Sequence, residues 1–257
     1  MKSTLQAHGL CFGYFHKVVW CRRARRTITR SLSRKAGIRL ASASARAQCS
    51  TRSRPACWRI SAARLCKAEL VGAFQPAAIG FFGKLPARGD FVRANVPEDF
   101  VAPWDEWCRR MLTASRTVLG EAWLEAWMEA PVWHFLLPPG ACGPQAVLGV
   151  WLPSMDKVGR HFPFLACALA ASVEDLLGGA GWLLAAEAAG LAGVVEDAEQ
   201  GAIAAMLDAP TVCAALDGPG WWTDGSPQVK SFRIDTTQLL PVEYAGAMLR
   251  DMVKAES

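Results

Sequence analysis

APVWHFLLPPGACGPQAVLGVWLPSMDKVGRHFPFLACALA, residues 130–170, holds three apolar runs set apart by Pro- and Gly-rich breaks. VWHFLL at 132–137 is rich in strand-forming residues and stops at Pro138, Pro139 and Gly140. QAVLGVWL at 145–152 follows a short Gly/Pro connection, so the two runs predict a hairpin. FPFLACALA at 162–170 reads as a third strand, entered from the loop PSMDKVGRHFP at 153–163. Each run is too short for a typical helix and is bounded by turn residues, which favours strands.

The surroundings change period. Upstream, AIGFFGKL at 78–85 predicts another strand, and Pro86 to Pro97 reads as a loop. Apolar residues then recur at Phe100, Trp104, Trp107, Met111, Ala114 and Val118, in steps of four and three that trace one face of a helix. Pro103 suits the first turn of that helix. Gly120 breaks it, Glu121 to Glu129 adds a turn or two, and Pro131 ends it. Downstream, Glu174 to Asp208 reads as helix in two pieces, divided around Gly190 or Gly201. VCAAL at 212–216 and SFRID at 231–235 read as short strands, and Val242 to Lys254 as a terminal helix. Strands in the middle with helices before and after predict an α/β fold of the α+β type: a central, mostly antiparallel sheet covered by helices.

Composition agrees with a folded chain but divides it. Over 257 residues, 52% are hydrophobic, which excludes a wholly disordered polymer. No apolar run is long enough to predict a transmembrane segment. Residues 1–75 carry 16 Lys and Arg against the single acid Glu69, whereas residues 76–257 carry 12 against 22 acids. Charge must therefore be read segment by segment. The basic stretch 1–75 has no sustained period and is predicted to lack a persistent fold. A transit peptide, a basic nucleic-acid arm and a start placed too far upstream in a GC-rich gene all fit its Arg/Ser/Ala/Cys text. Composition favours the last, so no nucleic-acid partner is expected and 76–257 is the expected domain. The nine cysteines include no C-x-x-C pair, which argues against a zinc site and for reduced thiols in the cytoplasm.

Two loops combine Gly, Pro and opposite charges: GKLPARGDF at 83–91 and PSMDKVGRHFP at 153–163. Each follows a predicted strand, where functional residues concentrate. Arg88, Asp90, Asp156 and Arg160 can form a binding surface or a structural ion-pair network that pins the loops together. Both loops are predicted to meet at one end of the sheet, with Arg88 facing Asp156 and Arg160 facing Asp90. Ser154, Asp156 and His161 supply the atoms of a hydrolase triad, but they lie in one loop and outside a G-x-S-x-G elbow. Trp221 and Trp222 should point to opposite faces of a strand, which leaves one of them more exposed as a contact for a partner.

The blocks GFFGKLPARGDFVRANVPEDFVAPWDEW, APVWHFLLPPG, GVWLPSMDKVGRHFPF and WWTDGSP resemble, in order and spacing, the TagF (ImpM) family of type VI secretion accessory proteins. The resemblance covers about 78 to 250. The family form of the third block is close to PSVDRVGRYFP, so Met155, Lys157 and His161 are mild departures. The resemblance implies a longin-like layered domain that acts without catalysis in the cytoplasm. It implies a post-translational negative regulator that works with a forkhead-associated-domain scaffold protein and opposes a kinase-driven activating route. No cofactor, metal or catalytic residue is expected. Lys84, Arg88, Asp90, Ser154, Asp156 and Arg160 fall inside the family blocks, and Trp222 joins them as a candidate contact. The alternative is a hydrolase that uses the 153–163 loop.

Overall fold

The computed structural model describes residues 73–209 and 214–251. The basic stretch 1–72 lies outside them, so the expectation of no persistent fold there is not addressed. Ala73 and Gln75 already belong to the folded unit: the Gly178 amide donates to the Ala73 carbonyl, and the Gln75 amide to Asp175.

Seven strands form one sheet: β1 Ala78–Gly83, β2 Val92–Ala94, β3 Trp133–Leu137, β4 Ala146–Leu152, β5 Phe164–Ala170, β6 Gly220–Thr223 and β7 Phe232–Ile234. Their order is β2-β1-β5-β4-β3-β6-β7, and all the pairings are antiparallel. Among the described residues the α-helices are α1 Glu98–Leu119, α2 Trp123–Glu129, α3 Ala180–Val195 and α4 Gln200–Leu207. This is the α+β fold expected from the order of periods.

The strands β3, β4 and β5 are buried at every position. Both faces of the sheet must therefore be covered, which is why these runs read as continuously apolar. On one face Trp104 of α1 stacks on Phe135 and Trp221, and Trp107 packs against Trp221. Register lines up Trp221, Phe135, Gly149, Cys167 and Gly80 as one row across five strands. A Cβ at Gly149 would meet the Phe135 ring at 2.6 Å, so glycine there keeps the ring flat beneath the α1 tryptophans. On the opposite face α3 packs Gly190 against Leu152. Cys108, Cys142 and Cys167 are free and buried. Burial pushes the Cys142 thiol up to about 12, so it stays protonated.

Several expectations need correction. β2 lies within the stretch read as loop; three residues with one buried side chain leave no alternation to detect. Val118 does not join the α1 stripe and is 54% exposed; Ser115 is buried instead and accepts the Trp123 indole N–H at 2.8 Å. The break between α3 and α4 falls at 196–199 rather than at a glycine, because Gly190 and Gly193 pack closely inside α3. The terminal segment is a 3-10 turn at Val242–Tyr244 followed by turns through Arg250, not a helix, and 252–257 lie outside the described residues. Of the stretch 212–216, Val212 and Cys213 lie outside the described residues, and Ala214 forms an isolated parallel bridge with Gly179.

Trp107 is 6% exposed and donates its indole N–H to the Leu240 carbonyl at 2.8 Å. Trp107→Ala should cost about 3–5 kcal/mol in urea unfolding, and Val118→Ala less than about 0.5 kcal/mol. Equal costs at the two positions would show that the α1 face is assigned wrongly.

Candidate functional site

Two antiparallel steps, β1 to β5 and β5 to β4, make β1 and β4 parallel to each other. The chain therefore leaves both strands at the same end of the sheet. The loops 83–91 and 153–163 emerge there side by side, as expected from their positions after strands.

The second loop is a tight turn built around one carboxylate. Met155 bridges His161, the Phe162 amide donates to Ser154, and the Gly159 amide donates to the Asp156 carbonyl. Gly159 has φ +85°, a conformation that a side chain would strain. Asp156 is 2% exposed, covered by its own loop. Its Oδ1 accepts the amides of Val158 at 3.1 Å and Arg160 at 2.8 Å. Its Oδ2 accepts Lys84 Nζ at 2.5 Å and Arg160 Nε at 2.6 Å. Burial alone would raise the Asp156 carboxyl. The hydrogen bonds from Lys84 and Arg160 and the charge of Lys84 outweigh it, holding the group well below the usual carboxylate range.

Lys84, itself 6% exposed, ties this turn to the first loop. Three further bonds join the loops. Ser154 Oγ donates to the Lys84 carbonyl at 2.7 Å, the Lys157 amide to the Arg88 carbonyl at 2.8 Å, and Arg160 Nη2 to the Gly89 carbonyl at 2.6 Å. Beneath them, the Trp127 indole N–H donates to the Ser154 carbonyl at 3.2 Å. Phe91 closes the side, against Phe162 at 4.8 Å and with Lys84 Nζ 4.8 Å from its ring.

The loops thus meet, but not through the expected pairs. Asp156 takes Lys84 and Arg160, while Arg88 pairs with Glu199 at the start of α4. Asp90 is exposed, and Arg160 reaches the Gly89 carbonyl rather than its carboxylate. Lysine at 84 is the first residue past β1, and its Nζ reaches the sealed carboxylate directly. Nothing in the local spacing points to Glu199, 111 residues from Arg88. Trp222 lies far along the sheet on β6, half-buried, stacked on His134 at 5.8 Å and beneath the Arg233 guanidinium. Trp221 is fully buried, so the expected division of the pair holds. His134 Nε2 lies 3.1 Å from Glu187 Oε2 of α3.

The triad atoms do not form a relay in this arrangement. Ser154 is 2% exposed and directs its hydroxyl to the Lys84 carbonyl, and the Asp156 carboxylate is occupied by two cations. His161 packs edge-on against Trp123 at 5.0 Å. Among the described residues no group of three or more His, Cys, Asp and Glu could hold a metal ion. No helix among them is long and apolar enough to cross a membrane.

Fold and site define a layered α+β domain whose buried polar chemistry holds two loops at one end of a sheet. The model of the TagF N-terminal domain, type VI secretion system-associated, matches residues 80–216, and the chain belongs to this family. The crystal structure of PA0076 from Pseudomonas aeruginosa PAO1 is similar, with a TM-score of 0.58 and 31% identity over 67% of this chain and 94% of that one. A comparison with curated proteins gives no match.

The Asp156 carboxyl titrates lower in the folded chain than its ordinary 3.8. Its stabilisation is complete above about pH 5 and is lost as pH falls through the folded value. Asp156→Asn should cost about 3 kcal/mol at pH 7, the low end for a broken buried pair covered by one loop. The gap between variant and wild type should narrow in thermal melts taken from pH 7 down to pH 3. A gap that is constant across that range would contradict the assignment.

Proposed function

We propose that this chain is a cytoplasmic, non-catalytic regulator that restrains type VI secretion by binding the system's forkhead-associated-domain scaffold protein through the two clamped loops. The observation that supports this reading is the arrangement of the loops. Lys84 and Asp156 turn inward and, with Arg160 Nε, fix the loops, while Phe91, Lys157, Val158 and the rest of Arg160 are left exposed on a braced surface. A catalytic site needs a reachable nucleophile beside a base; here the candidate serine is sealed and hydrogen-bonded to backbone. A fixed, exposed loop surface lowers the ordering cost of association.

The domain boundary is part of the same reading. Residues 73–257 carry the restraint and the basic stretch before them is dispensable; Ala73 and Gln75 are kept because they bond to the fold. Trp222 is half-buried under Arg233 and contributes less to binding than the loops.

Purified full-length chain should capture the scaffold protein, and its overproduction should reduce type VI secretion. The 73–257 fragment should do both equally well. Failure of the full chain to bind the scaffold would remove this reading. Loss of activity in the fragment alone would restore a role to the basic stretch.

A further inference from the structure

The clamp leaves a charge imbalance at its surface. One carboxylate, Asp156, serves two cations, Lys84 and Arg160. Lys84 is sealed, so the uncompensated charge emerges at Arg160, whose side chain is 61% exposed. Arg88 adds none, because Glu199 answers it. Lys157, exposed on the same turn, adds a second cation. Asp90 is the exposed acid of the facing loop. This basic tip stands on a region, 76–257, in which acids outnumber bases 22 to 12.

The guanidinium is also held in a fixed orientation. Its Nε donates to Asp156 Oδ2 and its Nη2 to the Gly89 carbonyl, each at 2.6 Å. Those bonds use Nε and one of the two Nη2 hydrogens, and Nη1 takes part in neither. A guanidinium is suited to gripping carboxylates, and this one is already positioned. Beside it, Val158 is 71% exposed, more than any other large hydrophobic among the described residues. Its side chain takes no part in the core. Phe91, 43% exposed, is a second exposed apolar side chain, on the facing loop.

Resting on the reading of these loops as the partner-binding surface, we propose that Arg160 is its anion receptor and Val158 its apolar anchor, and that together they receive an acidic peptide segment of a partner protein. A carboxylate docks on the Nη1 end of the guanidinium, a neighbouring apolar side chain covers Val158, and Lys157 draws further acids to the rim. The departure of Lys157 and the arginine at 160 both keep the turn basic.

The test has two arms. In the first, isotope-labelled full-length chain is titrated with the synthetic peptide Glu-Glu-Leu-Glu-Glu and with its amide counterpart Gln-Gln-Leu-Gln-Gln. The Lys157, Val158 and Arg160 amides and the Arg160 Nε–H signal should move with the acidic peptide and not with the amide one. Signals that stay in place, or that move equally with both, overturn the proposal. In the second arm, affinity for the purified forkhead-associated-domain scaffold is measured for wild type, Arg160→Lys and Val158→Asp. Each variant should lose at least about tenfold, since the first keeps the charge without the guanidinium's Nη1 and the second repels acids. Val158→Asp breaks no internal bond, so its melting temperature should match wild type. If wild type binds the scaffold and both variants bind equally well, the proposal falls and the choice of partner stands. If wild type does not bind the scaffold, the choice of partner falls and the peptide arm decides the proposal.

Discussion

A single covered carboxylate organises the end of the molecule where its exposed chemistry lies. Asp156 accepts two backbone amides from its own turn, one lysine from another strand end and one arginine from the turn's far side. Removed from water, a carboxylate left unpaired would be costly, so the four donors must be present together. That requirement fixes the turn's shape, fixes the distance to the first loop and aims Arg160 outward. The sheet makes it achievable: β5 lies between β1 and β4, so both strands deliver their loops to the same end.

The division of labour between layers follows from this. The aromatic layer under α1 supplies burial, with Trp104, Trp107, Phe135 and Trp221 in mutual contact. The ion-pair clamp contributes little net stability in comparison. Buried pairs give back in attraction roughly what they cost in desolvation, and their value is in setting one geometry over others. Here the one geometry the clamp sets is that of the two loops. The tryptophan anchors reach into it directly, since the Trp127 indole holds the Ser154 carbonyl at the root of the turn.

The fold was legible where burial is two-sided or strictly periodic. The runs at 78–85, 132–137, 145–152 and 162–170 became β1, β3, β4 and β5, and the four-three spacing from Phe100 to Met111 became the buried face of α1. It was illegible in β2, where one buried side chain in three lies inside a Pro- and Gly-bearing stretch, and where turns mimic a helical spacing, as after Val242. The candidate residues Lys84, Arg88, Ser154, Asp156 and Arg160 do converge, but their pairing could not be read from composition. Arg88 and Lys84 are four residues apart in one loop, and only the direction of the chain leaving β1 decides which of them faces Asp156. Val158 is a residue that charge-based reading passes over, an apolar side chain before a glycine at the tip of a charged turn.

Amide hydrogen exchange on Asp156→Asn, compared with wild type under native conditions, tests most directly whether this carboxylate organises the site. The account predicts that protection falls at Val158 and Arg160, whose amides bond the carboxylate, and at Lys157, whose amide bonds Arg88 across the loops. Amides of β4 and β5 should stay far better protected than the turn in the same sample, because their ladder bonds do not contact the carboxylate and open only on global unfolding. Unchanged protection at Lys157, Val158 and Arg160 would contradict the account, since the two loops would then hold together without Asp156.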